Sequence, residues 1–454
     1  MGRERIQLLD GGMGTTLESS GYEVSSELWG SELLYTDPKA ISDIHEGYVK
    51  SGAELIETST YQLNSTNLSS YLSSSTSLTR SECARESSRI LRTSVDLVHQ
   101  SLCSSSESSE SSSSTKPKSK RASYPGAGVV FSCGPYGSSL RPGAEYSGLY
   151  PPPYGPSLTT NSFPSSPITP SNTPPPPSKE EEEATELLSN YHLSKLMTVA
   201  THEDTWRKID WIAFETIPVL HEIKAIRRTM NKLQGILRER YPESFSSSDA
   251  GQTQPQLSDA EECERESQTE WYNKKYWITC AFPNGLHPQH VSNSSSDSNS
   301  NLDSSSNHHV SVRDLVNVLL DEQNDQSIPN GIGINCTNPL YLCSLIKQFN
   351  ESTGSHNFTQ TEALNKNKNK DKGITFVLYP DGGLVYDVNT RTWSTPSNGP
   401  SNASEWAKGI YEVVQSIESA KSHQGTYIWD GVIVGGCCKT SFEEISALRK
   451  LIDQ

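Results

Sequence analysis

Eight short apolar runs, each followed by a helical pattern, constrain this 454-residue chain more than any other feature. The runs are 6–10, 54–58, 129–133, 211–216, 276–282, 331–336, 375–379 and 431–436. All are too short for a core helix and most are rich in β-branched or aromatic residues, so each reads as a buried strand. Between the first two, Asp37 and Pro38 supply a cap and a first-turn proline ahead of Ala40, Ile41, Ile44, Tyr48 and Val49 on one helical face. Comparable patterns fall at 81–99, 184–201, 220–240, 312–320, 340–349 and 405–420, and Ser441 with Glu444 predicts a capping box before Ile445, Leu448 and Ile452. Strands that alternate with helices imply a parallel sheet, and eight such units predict an α/β fold, a closed (β/α)8 TIM-type barrel.

Hydrophobic residues make up only 33% of the chain, and serine, proline and asparagine tracts account for much of the deficit. These tracts lie at about 101–123, 151–179, 245–269, 287–309 and 351–371, each between a strand and a helix or a helix and a strand. Such segments cannot bury enough apolar surface to offset chain entropy. The expectation is a single domain over 1–454 with disordered low-complexity surface insertions that play no part in catalysis.

A net charge of -16 opposes attraction to nucleic acid or to anionic membrane. The first 30 residues hold no apolar signal segment, and no stretch approaches the length of a membrane-spanning helix, so the expected location is cytoplasmic. Nine cysteines in a chain of this length are too sparse for a disulfide scaffold, and a cytosolic setting would keep them reduced.

Polar residues suited to chemistry collect at the carboxyl ends of the strands, the face where barrel enzymes place their sites. Asp10, Thr58, Cys133, Glu215, Cys336, Tyr379 and the pair Cys437-Cys438 all fall there. Vicinal thiols alone also occur as small buried hydrophobes. Cys336 closes the sixth strand, and in a barrel the sixth and eighth strands flank the seventh, so the three thiols can approach one centre. Three thiolates would leave a tetrahedral zinc ion one open position. Asp10-Gly-Gly-Met-Gly-Thr-Thr16 lacks the ending of a P-loop and the spacing of a dinucleotide fingerprint. It reads either as a turn whose amides face a small carboxylate, with Asp10 open to a substrate ammonium, or as glycines needed only for the turn. Glu215 leaves a largely apolar strand, so its acid needs a partner, either a bound amino group or a basic side chain.

Gly333-Ile-Asn-Cys-Thr-Asn-Pro339 taken with Gly435-Gly-Cys-Cys438 closely resembles the homocysteine S-methyltransferase family. Asp10-Gly-Gly-Met-Gly-Thr15, Glu57-Thr-Ser-Thr-Tyr-Gln62, Gly134-Pro-Tyr-Gly137 with Glu145-Tyr-Ser-Gly148, Phe214-Glu-Thr-Ile-Pro218 and Tyr379-Pro-Asp-Gly-Gly383 resemble family motifs in family order. The resemblance covers nearly the whole chain outside the insertions. It implies a zinc-dependent barrel that methylates homocysteine to methionine, with Cys336, Cys437 and Cys438 as zinc ligands and Asp10 and Glu215 holding the homocysteine amino group.

The zinc ion would bind the homocysteine sulfur as fourth ligand and release its proton, readying it for in-line transfer from a sulfonium. The non-barrel residues are low-complexity and leave no room for separate folate and cobalamin modules, which favours S-methylmethionine or S-adenosylmethionine as donor. Betaine, used by a related branch, is the alternative and would want an aromatic cage. A zinc hydrolase is disfavoured because three thiolates make a poor Lewis acid and no general base accompanies them. A noncatalytic zinc or thiol-binding scaffold is a further reading. Nothing in the sequence sets the oligomeric state.

Overall fold

The computed structural model describes residues 6–24, 28, 30–107, 127–140, 143–164, 177–241, 271–291, 308–356, 373–387, 392–394 and 399–454. Eight parallel strands, Ile6–Leu8, Leu55–Glu57, Gly128–Cys133, Ile209–Phe214, Lys275–Cys280, Gly331–Asn335, Thr375–Tyr379 and Gly431–Val434, correspond one for one to the predicted runs. In space the first strand pairs with the eighth, and the sheet then runs back in order through the seventh to the second. A parallel bridge between Leu9 and Leu55 joins the second strand to the first and closes the barrel.

Helices Pro38–Lys50, Arg80–Glu107, Lys179–Ala200, Leu220–Arg240, Val312–Leu320, Leu342–Ser355, Ala403–Glu418 and Phe442–Ile452 fill the predicted helical positions. The expected local signals are present. Asp37 accepts from the Ala40 amide with Pro38 in the first turn, and Ser441 and Glu444 form a reciprocal capping box. Short helices at Met13–Ser19, Ser65–Ser75 and Glu203–Lys208 were not legible, since their apolar residues are too few to show a period.

Two apolar layers follow from strand alternation. Outward residues such as Ile56, Val129, Ile212, Ile278 and Val432 pack under the helices, while Leu9, Leu55, Val130, Trp211, Ala213, Trp277, Val377, Tyr379 and Ile433 fill the barrel. Because side chains alternate with a period of two, Glu57, Ser132, Glu215 and Thr279 share the inward face with Leu55, Val130, Ala213 and Trp277, one layer nearer the carboxyl end. The filled interior is thus a floor, and these polar residues lie on it.

Parts of the predicted insertions are built into the fold. Residues 151–164 and 287–291 meet through Asn161, which is buried. Its Nδ2 donates to the Ser147 and Pro288 carbonyls at 2.7 and 2.9 Å, and its Oδ1 accepts from the His290 amide at 3.0 Å. One amide side chain thereby satisfies three backbone groups of two loops, which composition cannot reveal. Residues 101–107 continue a helix, and residues 351–355 end another. The remainder of the expected insertions, 108–123, 165–176, 245–269, 292–307 and 357–371, lies outside the described residues.

Gly333 lets the sixth strand close on the seventh, since a Cβ there would overlap the Val377 carbonyl. Gly333→Ala is expected to lower stability by about 1–3 kcal/mol through overpacking, read as a fall in the urea midpoint at constant slope. An unchanged midpoint would mean that the two strands separate freely.

Candidate active site

The site begins with the junction of the first and last strands. The Gly436 amide donates to the Asp10 carbonyl at 2.9 Å, which lays the loop after the eighth strand across the glycine turn after the first. Side chains are excluded there. A Cβ on Gly435 would meet the Asp10 carbonyl at 2.7 Å, and one on Gly12 would meet the Cys437 carbonyl at 2.5 Å. Lys439 donates its amide to Thr15 Oγ1 at 2.8 Å, and the Gly12 amide donates to Thr440 Oγ1 at 3.2 Å. The glycines therefore serve close backbone approach, and the Gly12 amide, expected to face a ligand carboxylate, is taken by Thr440.

Cys336 reaches the same point from the sixth strand. Its amide donates to the Tyr379 carbonyl at 3.1 Å, and its φ of 42° is rare for a residue with a side chain. The neighbouring Asn335 ties the sixth strand to the fourth, since its Oδ1 accepts from the Thr216 amide at 2.9 Å and its Nδ2 donates to Thr216 Oγ1 at 2.7 Å. Thr216 itself has φ 60°, so both strand ends are held in costly backbone conformations beside the site.

The sulfurs of Cys336, Cys437 and Cys438 all lie within 4.8 Å of one another, the one such cluster of candidate metal ligands among the described residues. Cys336 and Cys437 are joined as a disulfide, whereas three free thiols were expected; Cys438 Sγ lies 3.9 Å from Cys336 Sγ. The donor set fits zinc. Tetrahedral zinc with thiolates at about 2.3 Å sets its sulfurs about 3.8 Å apart, so only the Cys336–Cys437 bond must open. Burial, and then the charge of Asp381, pushes the Cys438 thiol up to about 11, so a thiolate there needs a cation beside it. Cys133 is buried away from the cluster, Cys83, Cys103, Cys280 and Cys343 lie outside it too, and Cys263 lies outside the described residues.

Asp10 and Glu215 are both buried, and a third carboxyl that sequence reasoning assigned no role, Glu57, joins them. The Glu57 amide donates to Asp10 Oδ2 at 3.0 Å, while Asp10 Oδ1 and Glu57 Oε1 are buried with no hydrogen-bond partner. Ser132 Oγ donates to Glu215 Oε1 at 2.5 Å. Burial raises the Glu215 carboxyl to about 7, against the pull of Ser132, Lys195 and Tyr379. It also raises Asp10 and Glu57 well above the carboxylate range, and the three acids' mutual repulsion adds to this. The signals for Glu57 were its place at the head of the family-like segment Glu57-Thr-Ser-Thr-Tyr-Gln62 and its position two residues beyond Leu55 on the inward face. Lys195, on helix Lys179–Ala200, is buried too, but its Nζ donates to the Thr60 carbonyl at 2.7 Å. Among the described residues the acids therefore lack a full complement of cations. Tyr379 completes the floor, its hydroxyl accepting from Trp277 Nε1 at 3.2 Å and lying 2.8 Å from Thr279 Oγ1.

A closed (β/α)8 barrel with clustered thiols and buried acids at the carboxyl ends of its strands has the layout of a barrel enzyme, with soft sulfur donors and carboxyls gathered at its mouth. The family model for homocysteine S-methyltransferase matches residues 7–452, and the chain belongs to that family of methyl-transferring enzymes. Homocysteine S-methyltransferase 1 of Zea mays is 24% identical, with 98% of this chain and 94% of the relative covered. Homocysteine S-methyltransferase 2 of Arabidopsis thaliana is 26% identical, covering 98% and 92%. Among solved structures, the oxidized form of the homocysteine methyltransferase MmuM from Escherichia coli aligns with a TM-score of 0.53 at 18% identity, over 98% of this chain and 96% of that one, which shows the fold. No helix among the described residues is long and apolar enough to cross a membrane.

The acids also make stability depend on pH. A carboxyl whose pKa is raised on folding contributes stability that is fully present below its unfolded pKa, near 4.5 for Glu215, and lost as pH rises through about 7. Glu215→Gln removes that loss. The ligand-free variant should therefore gain on the wild type by about 2.5 kcal/mol between pH 5 and pH 8, seen as a widening gap between melting curves. A gap that stays constant with pH would show that Glu215 is ionised in the folded protein throughout this range.

Proposed function

We propose that this chain transfers a methyl group from a sulfonium donor, S-methylmethionine or S-adenosylmethionine, to homocysteine, using a zinc ion held by Cys336, Cys437 and Cys438. The convergence of three sulfurs beside buried, cation-deficient acids carries the reading. Bound zinc would supply the acidity that turns a substrate thiol, with a free pKa near ~8.5, into a thiolate at neutral pH. Reduction of the Cys336–Cys437 disulfide must come first.

The chain's own residues orient the substrate. Asp10 and Glu215 hold the homocysteine ammonium, and that charge draws their raised pKa values down and satisfies Asp10 Oδ1. The packed floor of Trp211, Trp277 and Tyr379 closes the barrel beneath them and limits the depth to which water and substrate can enter. Methyl transfer needs acceptor sulfur, methyl carbon and donor sulfur in line, so anchoring the amino group beside the thiols contributes through positioning.

Cys438→Ser should abolish both zinc retention and methionine formation when reduced protein is loaded with about one zinc per chain. Full zinc occupancy in the variant would remove Cys438 from the ligand set. Glu215→Gln should keep its zinc but weaken homocysteine by roughly 1.5 to 3 kcal/mol, the value of a charge-assisted hydrogen bond. Titration of homocysteine into zinc-loaded protein reads the loss, and unchanged affinity would take Glu215 out of the substrate site.

A further inference from the structure

Tyr146 lines a cleft of about 470 Å³, within the range of small-molecule sites. Its walls are the loops that Asn161 fastens together, and they include Tyr146, Leu149, Thr160, Leu286 and His290. No Asp, Glu, Lys or Arg among the described residues lines it. Tyr146 and Leu286 are 46% and 50% exposed, among the most exposed large hydrophobic residues described. A paired aromatic and aliphatic surface of this kind marks a binding site more often than bare surface does. His290 Nδ1 is buried without a hydrogen-bond partner. Tyr146 also connects the cleft to the reacting centre, because its hydroxyl faces the Cys438 thiol.

We propose that this cleft binds the nucleoside of S-adenosylmethionine, which makes it a donor-specificity site. The inference rests on the methyl-transfer reading above. Both sulfonium donors carry a methyl group and an amino-acid chain on sulfur, and they differ in the third substituent. In S-methylmethionine it is a second methyl, which needs no pocket. In S-adenosylmethionine it is an uncharged sugar with a flat heteroaromatic base. An ammonium would find no Asp or Glu among the cleft's described residues and a carboxylate no Lys or Arg, whereas a purine can lie on the Tyr146 face and Leu286 and take hydrogen bonds from threonine hydroxyls and the His290 ring. With the sulfonium placed at the thiols, the nucleoside extends past Tyr146 into the cleft. In the reaction the homocysteine sulfur, having given up its proton, forms a bond to the methyl carbon. The donor's carbon–sulfur bond breaks with its electron pair staying on sulfur. The products are methionine and the neutral thioether S-adenosylhomocysteine.

The test uses reduced, zinc-loaded full-length protein, with adenosine and S-adenosylhomocysteine as calorimetric probes. Thr160→Trp, at an exposed position, fills the cleft without changing charge, and Leu286→Ala removes a wall. Wild type should bind both probes, and each variant should weaken them by about tenfold. The variants should also lower kcat/KM for S-adenosylmethionine relative to S-methylmethionine by a similar factor. Methionine formation from S-methylmethionine, with no binding of adenosine or S-adenosylhomocysteine to wild type, would overturn the nucleoside site and leave the methyl-transfer reading intact. Equal probe affinities in wild type and variants would overturn it as well. Probe binding that the variants weaken, with no methionine from either donor, would uphold the nucleoside site and defeat the methyl-transfer reading instead.

Discussion

The parallel register between the first and last strands is the contact on which the rest depends. Leu8 sits against Val434, the Leu9 amide donates to the Val434 carbonyl at 2.7 Å, and the next step is the Gly436 amide on the Asp10 carbonyl. That step closes the barrel and also superimposes the Asp10 turn on the cysteine pair. The approach is too close for side chains, which is why Gly12 and Gly435 stand there. A shift of one residue would turn Asp10 and Ile433 to the wrong faces and separate the acid from the thiols.

Above this junction the barrel mouth concentrates groups that are unfavourable without a ligand. Three raised carboxyls and left-handed backbone at Cys336 and Thr216 lie within one layer. Each costs stability in the free protein, and the filled floor of Trp211, Trp277 and Tyr379 supplies the rigid support that keeps them in place. A positive charge bound beside them would relieve the carboxyls, so binding and folding would draw on the same electrostatics.

The loops extend this logic outward. Asn161 fixes residues 151–164 against 287–291, and the resulting wall adjoins Tyr146 at the thiols. Serine- and proline-rich composition signals low burial on average, and a single buried amide overrides that average locally. The other anchor of this region is Glu222, which accepts from the Tyr136 amide at 2.7 Å and from the Tyr150 hydroxyl at 2.5 Å and meets His192 at 2.9 Å. It holds the Gly134-Pro-Tyr-Gly137 segment to helix Leu220–Arg240.

The sequence by itself determined the eight strand–helix units, their order, and the set of residues placed at strand ends, because periodicity and capping act over a few residues and can be read locally. Asp10, Glu215, Cys336, Cys437 and Cys438 were all identifiable from their positions after apolar runs. Only the tertiary structure decided what those residues meet. Glu57 joins the acids through alternation beyond Leu55, Thr440 claims the Gly12 amide, Lys195 is drawn to the Thr60 carbonyl, and Tyr146 bridges the thiols and the cleft. Each of these is a contact between segments far apart in the chain. Its existence depends on barrel closure and on which buried polar group finds a partner first, and neither is encoded in any local pattern.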